Sequence, residues 1–386
     1  MSEVVIVGLG QTPVGEHWET SLRSLAVQAI QAARADAGGL APQALYIGNM
    51  LASTISHQAN LGSLLADQAG LAGIEGTTVE AAGASGGAAL RLGYLAVLSG
   101  MVDVAMVVGV EKYTDQLPSE ALAAFSQMQD SDFETVQGIT PAAQAALLMQ
   151  RYMHDYHVEH GCFAGIPLVA HANAANNPNA MYRRAISRDA YDQAEIVADP
   201  LNVYDLASQA DGAAAILLTR SELIPKGLGH ELVRITGSSL VTDTLALHDR
   251  PDPLAMHAAG FSVERACSQA GILPKDVDLF ELYDSASIYA VLSLEAAGFA
   301  RRGNGWHLAE SGEIRLNGEI PISTMGGLKW RGDPVGATGV YQAVEASLQL
   351  RGEAGKNQVE GARRALVQSL GGPAATAVAH VLEKMA

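Results

Sequence analysis

The chain has 386 residues, 48% of them hydrophobic, which is ample apolar material for a large buried core. Its formal net charge of −17 leaves no cationic surface to neutralise phosphates and argues against a nucleic-acid partner. Two cysteines, Cys162 and Cys267, cannot build a disulfide framework, and no apolar run approaches the ~20 residues of a spanning helix, so a soluble, cytoplasmic protein without membrane association is expected.

From the N-terminus, Val4–Val7 reads as a short strand ended by glycines, and Leu22, Leu25, Ala26, Ala29, Ile30 and Ala33 recur at helical spacing until Gly38 and Gly39 stop the helix. Small residues crowd Gly83-Ala84-Ser85-Gly86-Gly87 at the start of a second helix, whose free amides and dipole favour a bound oxygen anion. Val102–Val110 is apolar on both alternating faces apart from Asp103, the pattern of a strand covered by helices on both faces. From Glu111 to Asp199 the strand–helix alternation is lost and His, Asn, Met and aromatic residues increase, which marks an insertion; within it Thr140-Pro141 caps a helix running toward Tyr156. Alternation resumes at Asp211, with later strands at 278–282, 365–369 and 375–381.

The chain repeats itself. Gly83-Ala84-Ser85-Gly86 corresponds to Gly336-Ala337-Thr338-Gly339; each opens a helix, ended at Ser99-Gly100 and Arg351-Gly352, and each helix precedes a buried strand. Upstream, the helical run before Ala44-Leu45-Tyr46-Ile47 echoes the run before Val277-Asp278-Leu279-Phe280. The duplicated α/β unit implies residues 1–111 as the first part of an N-terminal half, 112–199 as an inserted loop domain, 200–225 as the end of that half, and 226–386 as a C-terminal half.

Five segments in order now carry a resemblance: Glu80-Ala81-Ala82-Gly83-Ala84-Ser85, Asn176-Asn177-Pro178, Asp211-Gly212-Ala213, Glu281-Leu282-Tyr283-Asp284-Ser285 and Gly332-Asp333-Pro334-Val335-Gly336-Ala337-Thr338-Gly339. The chain resembles the thiolase superfamily, and its sterol-carrier-protein type in particular. The resemblance implies an α/β thiolase fold, two βαβαβαββ halves in a five-layered αβαβα sandwich with an inserted loop domain. It also implies a homodimer, an acyl-CoA thioester as substrate with coenzyme A as part of that substrate and no permanently bound cofactor, and, as in some relatives, a small zinc-ribbon and OB-fold partner protein.

By the same resemblance, every catalytic slot of the family holds a different residue here. Gly83 stands at the nucleophilic cysteine, Tyr283 and Asp333 stand at two histidines, and Gln368 or Ser369, beside Gly371, stands where a histidine or cysteine shuttles protons. Glycine cannot form a thioester. Ser85 is the nearby alternative nucleophile, although a serine at a helix start has a simpler hydrogen-bonding use. Tyr283 is either a phenol tied to a neighbour or an acid/base group, and the family's cysteine-free retro-aldolases resemble this chain at Tyr283-Asp284-Ser285. Asp333 is either a helix-start carboxylate or a base in a dry pocket.

Weaker signals are set aside. Gly8-Leu9-Gly10 lacks the third glycine of a dinucleotide site. His154, His157 and His160 recur every third residue on what the spacing reads as one solvated helical face, with no completing metal ligand. Trp330-Arg331 is read as an exposed loop pair, Tyr341 as packing, and both cysteines as inert. Three functions remain open: a CoA-ester lyase of retro-aldolase type with Tyr283 as acid or base, a silent thiolase-like subunit that binds CoA esters or a partner, and an acetyl-CoA acyltransferase with a displaced nucleophile.

Overall fold

Strand β1 (Val4–Gln11) runs through both glycines at which the sequence predicted its end. A Cβ on Gly10 would sit 2.6 Å from Ala33 N, and one on Gly8 would be 2.8 Å from the Ala37 Cβ. These glycines therefore let the helix Leu22–Asp36 lie directly on the strand, which explains them without a nucleotide. That helix is capped by Ser21, whose hydroxyl accepts from Ser24 N at 3.2 Å, and it buries Leu22, Leu25, Ala26, Ala29, Ile30 and Ala33. Gly38 and Gly39, both at positive φ, end it.

The computed structural model describes residues 3–385. After β1 the strands are β2 (Ala44–Gly48), β3 (Glu75–Val79), β4 (Val104–Glu111), the short pair β5 (Ile196–Ala198) and β6 (Leu201–Asn202), then β7 (Gly212–Arg220), β8 (Val233–Thr242), β9 (Leu279–Glu281), β10 (Arg364–Gly371) and β11 (Thr376–Lys384). The main sheet has the order β3-β2-β4-β7-β1-β8-β11-β10-β9. Read outward from the centre, β1-β7-β4-β2 is matched by β8-β11-β10-β9, so the duplication is visible as a mirrored strand order. Within the sheet, β1 and β8 join the halves at Val5↔Arg234 and Ile6↔Val233. The second half differs from the first at its edge: where the repeat would place a counterpart of β3, Ile322 makes a single parallel bridge to Phe280.

Two central helices, Ser85–Leu98 and Thr338–Arg351, pack on each other and against strands of both halves. Helix Leu22–Asp36 covers β1 and β7 from outside, and helix His257–Ala270 covers β8 and β11 in the same way. The helix pair thus lies between the two halves of the sheet with a further helix outside each, the five-layered arrangement that the resemblance implies. Strand β4 is buried along its whole length, as its uninterrupted apolar run requires.

Between β4 and β5 the chain is mainly helical, through Pro118–Phe125, Pro141–Tyr156, Gly165–Ala174 and Arg188–Asp192. Thr140 accepts from Ala143 N at 3.1 Å with Pro141 in the first turn. Met149, Phe163 and Ile166 join the same buried cluster as Phe280 and Ile288, and Tyr152 donates to Glu295 Oε1 at 2.5 Å, so this stretch is seated on the second half. Among the described residues no helix is long and apolar enough to cross a membrane.

A candidate active site where the two halves meet

Both central helices begin with the same backbone feature. Ala82 has φ +51° and Val335 has φ +35°, and each is followed by glycine, Gly83 and Gly336. The left-handed region is unfavourable for alanine and more so for a β-branched residue, so both turns are held by their surroundings. The helix starts touch through small residues: a Cβ on Gly86 would lie 2.9 Å from Gly336 O, and one on Gly339 would collide with Gly87 N and lie 2.6 Å from Ser369 Oγ. The small-residue runs thus permit a close crossing of the two helices.

At Gly83 the missing side chain is replaced by a neighbour. A Cβ there would collide with the Tyr283 hydroxyl oxygen, lie 2.7 Å from its Cζ and 2.6 Å from Leu370 O. Tyr283 follows β9 in the second half, yet its phenol fills space over the turn of the first half. The ring is 5% exposed, and no hydrogen bond joins its hydroxyl to another described residue. Burial first, then the negative charge of Asp333, pushes its pKa well above the usual value, so the phenol stays protonated at neutral pH. Gly336 shows the reciprocal contact, a Cβ there lying 2.7 Å from Met50 N, which follows β2, and 2.7 Å from Glu111 Oε2.

Asp333 is held from several sides. Its Oδ1 accepts from Val335 N and Thr338 Oγ1, both at 2.9 Å, its amide donates to Ser208 O at 2.8 Å, and its carbonyl accepts from Tyr113 Oη at 2.7 Å. Oδ2 has no donor among the described residues. Bridges Gln209↔Asp333 and Leu206↔Ala286 clip the loops carrying Asp333 and Tyr283 to the segment before β7. Burial raises the Asp333 pKa to about 6, against the lowering effect of Thr338, Arg331 and Val335 N.

Tyr283 and Asp333 line one cavity of about 180 Å³. Its other walls are Leu122, Phe125, Met128, Ala142 and Ala145 from the helical stretch, Leu206, Ala207 and Gln209 before β7, and Tyr289 and Gly372. Tyr289 and Gln209 carry no local signal in the sequence, whereas Gly372 belongs to the Gly371-Gly372 pair that the sequence places near the thioester.

The remaining sequence candidates lie off the cavity. Gln368 is fully buried and donates to Ala259 O at 3.0 Å and Ser262 Oγ at 3.2 Å, whereas Ser369 donates to Gln342 Oε1 at 2.9 Å between the central helices. A Cβ on Gly371 would collide with the Ala81 carbonyl oxygen and lie 3.3 Å from its carbon, so the end of β10 approaches the Gly83 turn through backbone rather than through either polar side chain. Ser85 donates to Ala82 O at 2.6 Å and accepts from Ala81 N at 2.9 Å, and so holds the turn.

Several other expectations are corrected. The helix ends at Tyr156 and His157 is left-handed, so the three histidines do not share a face; His160 instead bonds Asp205 Oδ2 at 2.6 Å. Trp330-Arg331 is no exposed pair: Arg331 is fully buried against Glu345 at 2.7 Å, and half-buried Trp330 stacks on His171. Tyr341 packs as expected, its hydroxyl donating to Thr12 O at 2.9 Å. Among the described residues no group of three or more His, Cys, Asp or Glu is arranged to hold a metal.

Comparison with known proteins matches the thiolase N-terminal domain over residues 4–222 and a thiolase C-terminal domain-like family over 239–384. An acetyl-CoA acetyltransferase of Methanothermobacter thermautotrophicus is 39% identical over the whole of both chains. The benzoylsuccinyl-CoA thiolase subunit BbsB of Thauera aromatica is 29% identical, covering 93% of this chain and 91% of that one. The solved Ltp2-ChsH2(DUF35) aldolase superposes with a TM-score of 0.83 over 99% of this chain and 98% of that one at 23% identity, a likeness of fold. With two family matches that between them span nearly its entire length, the chain belongs to the thiolase family.

Proposed function

We propose that this chain binds an acyl-CoA thioester and cleaves a carbon–carbon bond without an acyl-enzyme, with Tyr283 as acid and Asp333 as base. The observation that carries this reading is a phenol packed over Gly83 and a carboxylate in the wall of the same cavity. The resemblance puts the family's nucleophile at Gly83, which has no side chain to acylate. Ser85 is tied to Ala81 and Ala82, which weighs against an acyltransferase with a displaced nucleophile.

In a retro-aldol cleavage, Asp333 takes the proton of a β-hydroxyl group, the O–H electron pair becomes the new carbonyl π bond, and the Cα–Cβ bond breaks. Its electrons move into the thioester as an enolate at the helix start beside Gly83, where dipole and amides favour negative charge. Tyr283 protonates the α-carbon, and the proton held by Asp333 restores the phenol. The products are a ketone or aldehyde and a shortened acyl-CoA. The assignment of roles follows from charge state: near neutral pH the phenol is a donor and the carboxylate, with a pKa of about 6, is an acceptor.

Relatives named for acetyl-CoA and benzoylsuccinyl-CoA support a CoA ester as substrate, and the aldolase neighbour, whose name includes a DUF35 protein, supports a partner that completes the acyl channel. Coenzyme A enters as part of the substrate, and a homodimer belongs to the same reading. A second reading, a silent subunit that holds CoA esters or a partner, draws on the cavity volume of about 180 Å³, below the ~300 Å³ at which small-ligand pockets ordinarily begin.

The test incubates the pure protein with β-hydroxyacyl-CoA and β-ketoacyl-CoA esters and follows products by mass spectrometry. Hydroxyacyl esters are cleaved, and Tyr283→Phe and Asp333→Asn each lower the rate by about 10²-fold or more. Thiolysis of a ketoacyl ester with a covalent adduct overturns the reading; binding of CoA esters without turnover of any replaces it with the silent subunit.

A further inference from the structure

Behind the cavity wall at Gly372 and Met128, one layer back from the lining residues, lie polar groups that the cleavage does not use. Arg250, 7% exposed, donates through Nε to Thr244 O at 2.8 Å and through Nη1 to Pro373 O at 2.7 Å. Its Nη2 has no partner, and the side chain makes no ion pair among the described residues; Asp243 and Glu134 are the acidic groups that act on it, at longer range. Gln129, 3% exposed, leaves both its amide nitrogen and its amide oxygen unbonded. A buried guanidinium with no carboxylate in contact and a buried amide without any partner are both unfavourable, and an anion placed between them relieves both.

Their positions fit such a ligand. Pro373 follows the cavity-lining Gly372, and Gln129 follows the cavity-lining Met128, whose carbonyl oxygen would be 2.6 Å from a Cβ on Gly372. Tyr289, a third lining residue, feels the Arg250 charge. On Arg250's own loop, Leu247 and Pro253 line a second recess of about 280 Å³, and Gln144 borders both recesses. We propose that Arg250 and Gln129 form the anion-recognising end of the acyl subsite, so that the preferred acyl group carries a carboxylate at the end remote from the thioester. This deepens the acyl-CoA reading and rests on it. Leu122, Phe125 and Met128 take the methylenes, the carboxylate accepts from Arg250 Nη2 and from the Gln129 amide, and the charge pairing supplies the selectivity.

The experiment measures equilibrium binding of glutaryl-CoA and adipoyl-CoA to the full chain by calorimetry, beside pentanoyl-CoA and hexanoyl-CoA. The carboxylated esters bind roughly 10-fold tighter or more. Arg250→Gln weakens the carboxylated esters by roughly 10-fold more than the methyl-terminated ones, which removes the preference, and Arg250→Lys restores part of it. Equal affinities in the unsubstituted protein, or the same loss for both kinds of ester in Arg250→Gln, overturn the subsite while the acyl-CoA reading stands. Binding of neither kind overturns the acyl-CoA reading and the subsite with it. Should Arg250→Gln fail to fold, the comparison in the unsubstituted protein and in Gln129→Leu still decides.

Discussion

Gly83→Ala is a direct test of the contact between the two halves. The added methyl collides with the Tyr283 hydroxyl, so the phenol must retreat by more than an ångström, and Leu370 O, only 2.6 Å away, is strand backbone that cannot yield as a side chain can. Overpacking of this kind costs about 1–3 kcal/mol. Tyr283→Ala alone leaves a cavity and costs about 3–5 kcal/mol. In the double variant the methyl occupies space the ring has vacated, so the combined loss falls short of the sum by roughly 1–2 kcal/mol, well outside the ~0.3–0.5 kcal/mol scatter of independent sites. Urea unfolding of the four proteins, followed by circular dichroism, measures the cycle. Additive losses would refute the claim that the phenol holds the place of the missing side chain.

Three further outcomes are expected. The kcat/KM for cleavage rises through about pH 6 as Asp333 ionises, with no basic limb below pH 9 because Tyr283 titrates well above its ordinary value; a fall between pH 7 and 9 contradicts the assignment. Gly339→Ala, whose Cβ meets Gly87 N and Ser369 Oγ, destabilises by about 3 kcal/mol or more, whereas Gly15→Ala, with nothing within 4 Å, stays within about ±0.5 kcal/mol; comparable melting temperatures for the two would count against the helix crossing. Burial raises the Glu281 pKa from 4.5 to about 8, so the folded chain holds a proton that the unfolded chain has released, and the stability present below pH 4.5 is lost as pH rises through 8. The melting temperature therefore falls over that range, and Glu281→Gln flattens the slope.

What the sequence makes legible follows the range of the interactions. Helix Leu22–Asp36 is readable because its apolar positions and its stop signals are local, and the duplicated helix starts are readable because a close backbone crossing demands small residues at fixed spacing. The placement of Tyr283 over Gly83 has no such signal, since the two lie far apart in the chain and meet only through the sheet. Strand alternation separates Gln368 from Ser369, sending one toward helix His257–Ala270 and the other between the central helices. Neither reaches the cavity, because the strand approaches it end-on. The histidine spacing misleads for a related reason, as periodicity assumes that the helix continues past Tyr156.

Gly83 is covered by a residue that follows β9, and Gly336 by one that follows β2. Each half thereby finishes the other's turn, and neither is a self-sufficient module. A fragment carrying one half would leave its bent helix entrance open to water and unsupported. A side chain added at either glycine meets a residue of the opposite half, so the two repeats are locked together at their helix entrances.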